Sequence, residues 1–308
     1  MMRPTLRQLE YVVAVARLGR FGLAAETLNV SQPSLSAQIA EVEADLGARL
    51  FQRNRSGVTP TPQGADVIRR AQKILRDVED LRASIIGAAP FGGRVRLGVL
   101  PSIGPYLLPQ VISALHLSHP DLRFILRDEN TQNLEQGLKS GRLDLIISTP
   151  EDHPNTLQRN LFSERLWLAV ARDDPLARTK APVATQDLKG RIFLTLDRGH
   201  RLSRIVYALA SDCGGIVSDE YEGTSLDAIR LMAASGAGVA ILPELYARVQ
   251  AKQCPEVVLR PLEVPGASRR ISLMQVFSEQ EMNGTEILAD ALLTQAGSAG
   301  LSVEKTSI

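Results

Sequence analysis

Ser31-Gln32-Pro33-Ser34-Leu35-Ser36-Ala37-Gln38-Ile39-Ala40-Glu41-Val42-Glu43 is the stretch on which the reading of the amino-terminal region turns. Ser31 is a good helix cap, and Pro33 falls in a first turn, where its missing N–H is not needed. Leu35, Ile39, Val42 and Leu46 recur at four, three and four residues, which predicts one buried stripe. Gln32, Ser34, Ser36 and Gln38 are then left at the exposed N-terminal end. Short polar side chains there can bond phosphates and read base edges in a major groove. The same residues would also suit a small three-helix bundle capped by serines.

Working outward, Leu6, Leu9, Val12, Val13 and Ala16 predict a first helix ending near Leu18, and Leu23-Ala24-Ala25-Glu26-Thr27-Leu28 a short second one. With Asn29-Val30 as the turn, this is helix-turn-helix spacing with the third helix as the reader. Downstream, Gly47 ends that helix, Leu50-Phe51 returns to the core, and Arg53-Asn54-Arg55-Ser56-Gly57 forms a basic turn into a β wing over 58–61. Arg53 and Arg55 at its tip suit phosphate or narrow minor-groove contacts, or they are simply solvated. Through residue 62 there are seven arginines and no lysine against five acidic residues, so charge alone does not name nucleic acid as the partner.

Leu9-Glu10, Ala24-Ala25, Leu28, Ser31-Gln32-Pro33-Ser34-Leu35-Ser36, Ile39, Leu46-Gly47, Leu50-Phe51, Arg53 and Thr61-Pro62-Gln63-Gly64 together resemble the amino-terminal domain of LysR-type transcriptional regulators. The resemblance runs from about Thr5 to Pro62 without a gap. It implies a winged helix-turn-helix that reads a double-stranded DNA operator, with Gln32, Pro33, Ser34 and Ser36 nearest the DNA. Ala37 departs from it, since many members carry a basic residue there.

After Pro62, Ile68, Ala71, Leu75, Val78, Leu81 and Ile85 make a narrow apolar seam on a long helix. Such a seam wants a partner, either a second copy in a coiled pair or the chain's own first domain. Gly87-Ala88-Ala89-Pro90-Phe91-Gly92-Gly93 reads as a hinge. Beyond it, strands at 95–100, 123–126, 143–147, 166–170, 192–194, 239–242 and 270–276 alternate with helices at 106–117 and 133–139, which predicts parallel sheets with crossovers. Ligands in such sheets bind in the crevice beyond the strands' carboxyl ends.

The resemblance continues here and implies a two-lobed effector domain of periplasmic-binding-protein-like fold. More narrowly, residues 97–109, Gly199-His200-Arg201-Leu202 and Gly223-Thr224-Ser225-Leu226 are similar to the OxyR-like, peroxide-sensing branch of the family. In that branch the residue between His200 and Leu202 is the peroxide-reactive cysteine; here it is Arg201. The resolving cysteine falls, by the same count, on Ala210, with Cys213 three residues further on. An arginine stays charged and cannot take up the thiol chemistry. Arg201 beside His200, with Ser102, Thr131, Thr224 and Ser225, would line a cation-bearing crevice suited to a small carboxylate or other anion. Alternatively Arg201 makes an outward salt bridge, and Ser102, Thr224 and Ser225 only cap helices.

The 308 residues, 44% hydrophobic and 22% charged with a net charge of +1, fit two or three globular domains. The start, Met1-Met2-Arg3-Pro4-Thr5-Leu6-Arg7, has no apolar core of a signal peptide, so a cytoplasmic chain without a membrane partner is expected. His116 and His119 have a zinc-compatible spacing but no third ligand nearby, and Gly236-Ala237-Gly238 lacks the rest of a dinucleotide fingerprint. No enzyme, cofactor or metal is expected. Cys213 and Cys254 cannot form a disulfide framework.

The expected organisation is an α/β multidomain chain: a winged helix-turn-helix domain over 1–62, a linker and dimerisation helix with hinge over 63–92, and an effector domain over 93–308. Its lobe I would take about 93–165 and 268–300, and lobe II about 166–267. The expected partners are a two-fold DNA operator, a small anionic effector and further copies in a homodimer or homotetramer, with RNA polymerase as a further partner the resemblance allows. The alternative is a redox-responsive regulator that uses Cys213 or Cys254.

Overall fold

Polar caps and apolar stripes fold the chain into two compact units, with the boundary at residues 88–89. The computed structural model describes residues 4–54, 57–86, 90–221, 223, 225–250, 253, 255–277 and 281–303.

In the first unit, α1 (Leu6–Leu18), α2 (Phe21–Thr27) and α3 (Gln32–Leu46) precede strands β1 (Phe51–Asn54) and β2 (Gly57–Pro60) and the long α4 (Pro62–Ile86). The Ser31 hydroxyl accepts the Ser34 N–H at 3.3 Å, and Gly47 closes α3 in the left-handed conformation. A cap of this kind contributes about 1 kcal/mol. Leu35, Ile39 and Val42 pack against Val12, Val15, Ala24 and Leu50. Leu46 leaves the expected stripe and is exposed, because it is the last helical residue before the turn.

β1 and β2 pair antiparallel as the wing. Glu43 anchors its base by accepting the N–H groups of Leu50 at 2.7 Å and Phe51 at 3.2 Å. Val58 N–H donates to Gly19 O at 2.8 Å. Gly57 has φ +140°, and a Cβ there would meet Gly19 O at 2.5 Å, so only glycine lets the wing lie against the end of α1. The seam of α4 is divided. Ile68 and Ala71 are buried within the first unit, where α4 packs on α1, while Leu81 is 61% exposed. The early turns of the seam thus pack on their own domain.

The second unit contains β3 (Arg94–Val99), α5 (Gly104–Ser118), β4 (Arg123–Asp128), α6 (Thr131–Lys139), β5 (Leu145–Ser148), β6 (Thr156–Ala171) and β7 (Ile192–Leu194). There follow α7 (Arg201–Cys213), β8 (Ile216–Val217), α8 (Leu226–Ala234), β9 (Val239–Pro243), α9 (Glu244–Val249), β10 (Val257–Pro261), β11 (Ser268–Val276), α10 (Thr285–Ser298) and β12 (Ser302–Val303). β4, β3 and β5 run parallel in one lobe, and β8, β7 and β9 run parallel in the other. The sheets are nevertheless mixed rather than parallel throughout, because β6 and β11 pair antiparallel with each other and β11 pairs antiparallel with β5. The first part of β6 belongs to the first lobe. From Leu166 it pairs with β9 and β10 in the second. Each lobe has its own apolar core, one around Leu97, Ile146 and Phe162, the other around Phe193, Ile241 and Tyr246.

Both connections between the lobes pass at one place. Leu166 N–H donates to Ala267 O at 3.0 Å, one step beyond the Arg165–Ser268 pairing. There Glu164 and Arg269 face each other across the strands with a 2.6 Å ion pair, both nearly inaccessible to solvent.

Candidate functional site

Two surfaces carry the residues singled out from the sequence. On the first unit, Gln32, Pro33 and Ser34 are exposed at the start of α3, and Ser36 is half-buried one turn on. Gln38 is not free at this end. It accepts from Gln8 Nε2 at 3.2 Å and donates to Glu41 Oε2 at 3.3 Å, which ties α3 to α1. Its amide thus makes a structural link between the two helices. Arg53 lies on β1, and the expected contact of Arg55 lies outside the described residues.

On the second unit, α7 begins where the β7 loop turns at Gly199-His200. The Gly199 N–H donates to Asp197 Oδ1 at 2.7 Å, and a Cβ on Gly199 would meet Asn130 Nδ2 at 2.7 Å, so the loop lies against the start of α6. His200 is buried, and its Nε2 has no hydrogen-bond partner among the described residues. Burial pushes its pKa below the usual imidazole value, Asp197 opposing and Arg269 adding to the shift, so the neutral ring is favoured. Ser102 accepts from Arg269 Nη2 at 2.7 Å. Ser102, His200, Arg201 and Arg269 line a cavity of only about 20 Å³, closed by Leu196 and Leu226, with room for about one water. Leucine side chains thus narrow the space at the residues expected to line the crevice.

Thr131 heads α6, buried with its hydroxyl unpartnered among the described residues, and does not line this cavity. Ser225 is exposed and caps α8, accepting the Ala228 N–H at 3.3 Å. Thr224 lies outside the described residues.

Arg201 carries an ion pair. Its Nη1 pairs with Asp152 Oδ1 at 3.0 Å, and Arg204 Nη2 pairs with the same oxygen at 2.8 Å. The other Asp152 oxygen accepts the Thr149 hydroxyl at 2.6 Å. Asp152 comes from the first lobe and the two arginines from α7 of the second, so one carboxylate holds two guanidinium groups across the lobes. Beside them opens a cavity of about 420 Å³, lined by the outer face of α7, by Glu151 and by the passage from Pro265 to Arg269. Sequence reasoning missed Asp152, Arg204 and Arg269. The three-residue step between Arg201 and Arg204 was the one available signal, because it puts both on one helix face.

Cys213 is a free thiol buried in the second lobe's core, its Sγ 3.6 Å from Ala210 O and 3.7 Å from Leu188 O. Cys254 lies outside the described residues. Among the described residues no group of three metal-ligating side chains forms, and no helix is long and apolar enough to cross a membrane.

Comparison with known proteins agrees with both units. The family described as bacterial regulatory helix-turn-helix protein, lysR family, matches residues 6–65, and the LysR substrate binding domain matches residues 88–296. The chain is 35% identical over 290 residues to the hydrogen peroxide-inducible genes activator of Dickeya chrysanthemi, covering 93% of this chain and 94% of that one. It is 34% identical, over the same shares, to the DNA-binding transcriptional dual regulator OxyR of Escherichia coli K12. Full-length OxyR of Pseudomonas aeruginosa, in a cysteine-to-aspartate variant, superposes with a TM-score of 0.72 at 30% identity, covering 95% of each chain. The chain therefore belongs to the LysR family of DNA-binding transcription regulators.

Proposed function

We propose that this regulator is switched by a small anionic effector that takes the place of Asp152 on Arg201 and Arg204. The supporting observation is the shared carboxylate: two guanidinium groups beside a 420 Å³ cavity have one internal anion between them. Each arginine offers a forked donor set that one carboxylate oxygen does not use up. An incoming carboxylate or phosphate would release Asp152, uncouple the two lobes at that point and favour a second arrangement of them. It acts only to the extent that it binds that arrangement better.

On the DNA side, residues 1–62 serve as the reading domain, with Gln32, Pro33, Ser34 and Ser36 toward the bases and Arg53 and Arg55 toward the backbone. Residues 63–92 link and pair the chains, which the exposed Leu81 end of α4 supports, and residues 93–308 carry the effector response. A two-fold pair or a tetramer matches a two-fold operator in the cytoplasm, where the protein works without a cofactor and also meets RNA polymerase.

Thermal melting against small carboxylates and phosphates tests this. At a hundredfold excess over Kd, a binding anion is expected to raise the second unit's Tm by about 5–10 °C. Arg201→Ala abolishes the shift, and Asp152→Asn, which removes the competing anion, lowers the concentration needed. A shift that survives in Arg201→Ala would contradict the assignment.

A second reading, a thiol switch, draws on the peroxide-inducible activators among the relatives. The burial of Cys213 and the arginine at the position of the reactive thiol weigh against it. A Cys213→Ser/Cys254→Ser double variant that lost its response in cells would favour it.

A further inference from the structure

One face of α7 carries Arg201, Arg204, Ile205, Ala208, Leu209 and Asp212, and all six line the 420 Å³ cavity. The face is graded along its length: cations in the first turn, an apolar middle, and a carboxylate in the last turn. Asp212 is exposed and has no ion pair among the described residues. A carboxylate at the C-terminal end of a helix is disfavoured by the helix dipole, and a cation beside it would relieve that. The rest of the lining adds Glu151 and Arg269, each already ion-paired, with Arg270 and Glu164 respectively, beside the uncharged Pro265, Gly266 and Ser268.

Resting on the anion reading above, we infer that this cavity takes an elongated zwitterion. Its carboxylate sits on Arg201 and Arg204, its alkyl chain lies along Ile205, Ala208 and Leu209, and its ammonium group meets Asp212. Arg204 and Asp212 lie about 12 Å apart along the helix, so the ligand's charges must be separated by on the order of 10 Å. That is an ω-amino acid of roughly eight carbons, since an α-amino acid is too short to reach both ends. A plain alkanoate satisfies the arginines and leaves Asp212 unpaired.

Calorimetric titration of the full-length chain with octanoate, 8-aminooctanoate and alanine separates the two readings. The ammonium group is expected to improve affinity over octanoate by about tenfold or more. In Asp212→Asn, whose free Tm should match the parent's because the residue is exposed, octanoate binds as before and the preference falls to within about twofold. Equal binding of octanoate and 8-aminooctanoate by the parent would overturn the zwitterion and leave the anion reading intact. Alanine binding as well as the long chain would overturn the length argument, and a preference that persists in Asp212→Asn would overturn the role of Asp212. If neither long-chain compound binds, the zwitterion falls, while the anion reading stands or falls with the melting panel of small carboxylates and phosphates.

Discussion

Gly64→Ala is expected to unfold the first unit at a temperature at least about 12 °C below the parent, from a loss of about 3 kcal/mol or more. Gly64 lies in the first turn of α4, and a Cβ there would stand 1.9 Å from Leu50 O and 2.7 Å from Leu50 C, both backbone atoms. Neither partner can move away cheaply. Thr61 N–H donates to that same Leu50 oxygen at 2.9 Å, and the Thr61 hydroxyl accepts the Gly64 N–H at 2.9 Å. Relief of the clash therefore breaks the joint between wing and linker helix. Gly47→Ala makes the contrast: its φ is +62° but nothing lies within 4 Å of the added methyl, so it costs only about 1–2 kcal/mol. Circular dichroism follows the first unit, while the single tryptophan, Trp167 on β6, reports the second. If Gly64→Ala melted within about 3 °C of the parent, the close approach would be wrong.

Glu164→Gln is the corresponding change in the second unit, with an expected loss of about 3–5 kcal/mol. Glu164 Oε1 binds Arg269 Nη2 at 2.6 Å and Nε at 2.8 Å, while Oε2 accepts the Leu245 N–H at 2.9 Å. The carboxylate thus joins the lobe passage to the start of α9, in surroundings with almost no solvent. Its neutral replacement leaves a buried guanidinium whose remaining side-chain partner is the Ser102 hydroxyl. The double variant Glu164→Leu/Arg269→Met removes both charges and should recover most of the loss, because desolvation of an ion pair offsets much of its attraction. Urea unfolding followed by Trp167 fluorescence measures both. A Glu164→Gln midpoint equal to the parent's would show that the pair is not buried as described.

What could be read from the sequence follows from the range of the interactions. The α3 cap and the inward Leu35, Ile39 and Val42 are set by spacing within one helix, and they were legible. The role of Gly64 was not, because Leu50 O reaches it only through the wing. The same holds for Arg201. Its partner Asp152 is 49 residues away and comes from another lobe, so the sequence left both a crevice cation and a salt bridge open. The antiparallel β6 was read only in its apolar second part. Its start, Thr156-Leu157-Gln158-Arg159-Asn160, is polar because it lies at an edge of the first lobe's sheet, where the residues are partly exposed beside β11. Gln38 was placed with the DNA readers because its position on α3 was legible, whereas its bonds to Gln8 and Glu41 depend on how α1 packs.

The most direct test of the account measures the switch itself on DNA. A duplex selected by the chain from a random pool is titrated by fluorescence anisotropy in reducing buffer, with and without saturating octanoate, and separately after hydrogen peroxide. A change of about fivefold or more in Kd with octanoate, lost in Arg201→Ala, together with no change after peroxide, is the predicted result. Affinity that shifts with peroxide and ignores octanoate would contradict it and make a thiol, Cys213 or Cys254, the centre of the response instead of the shared carboxylate.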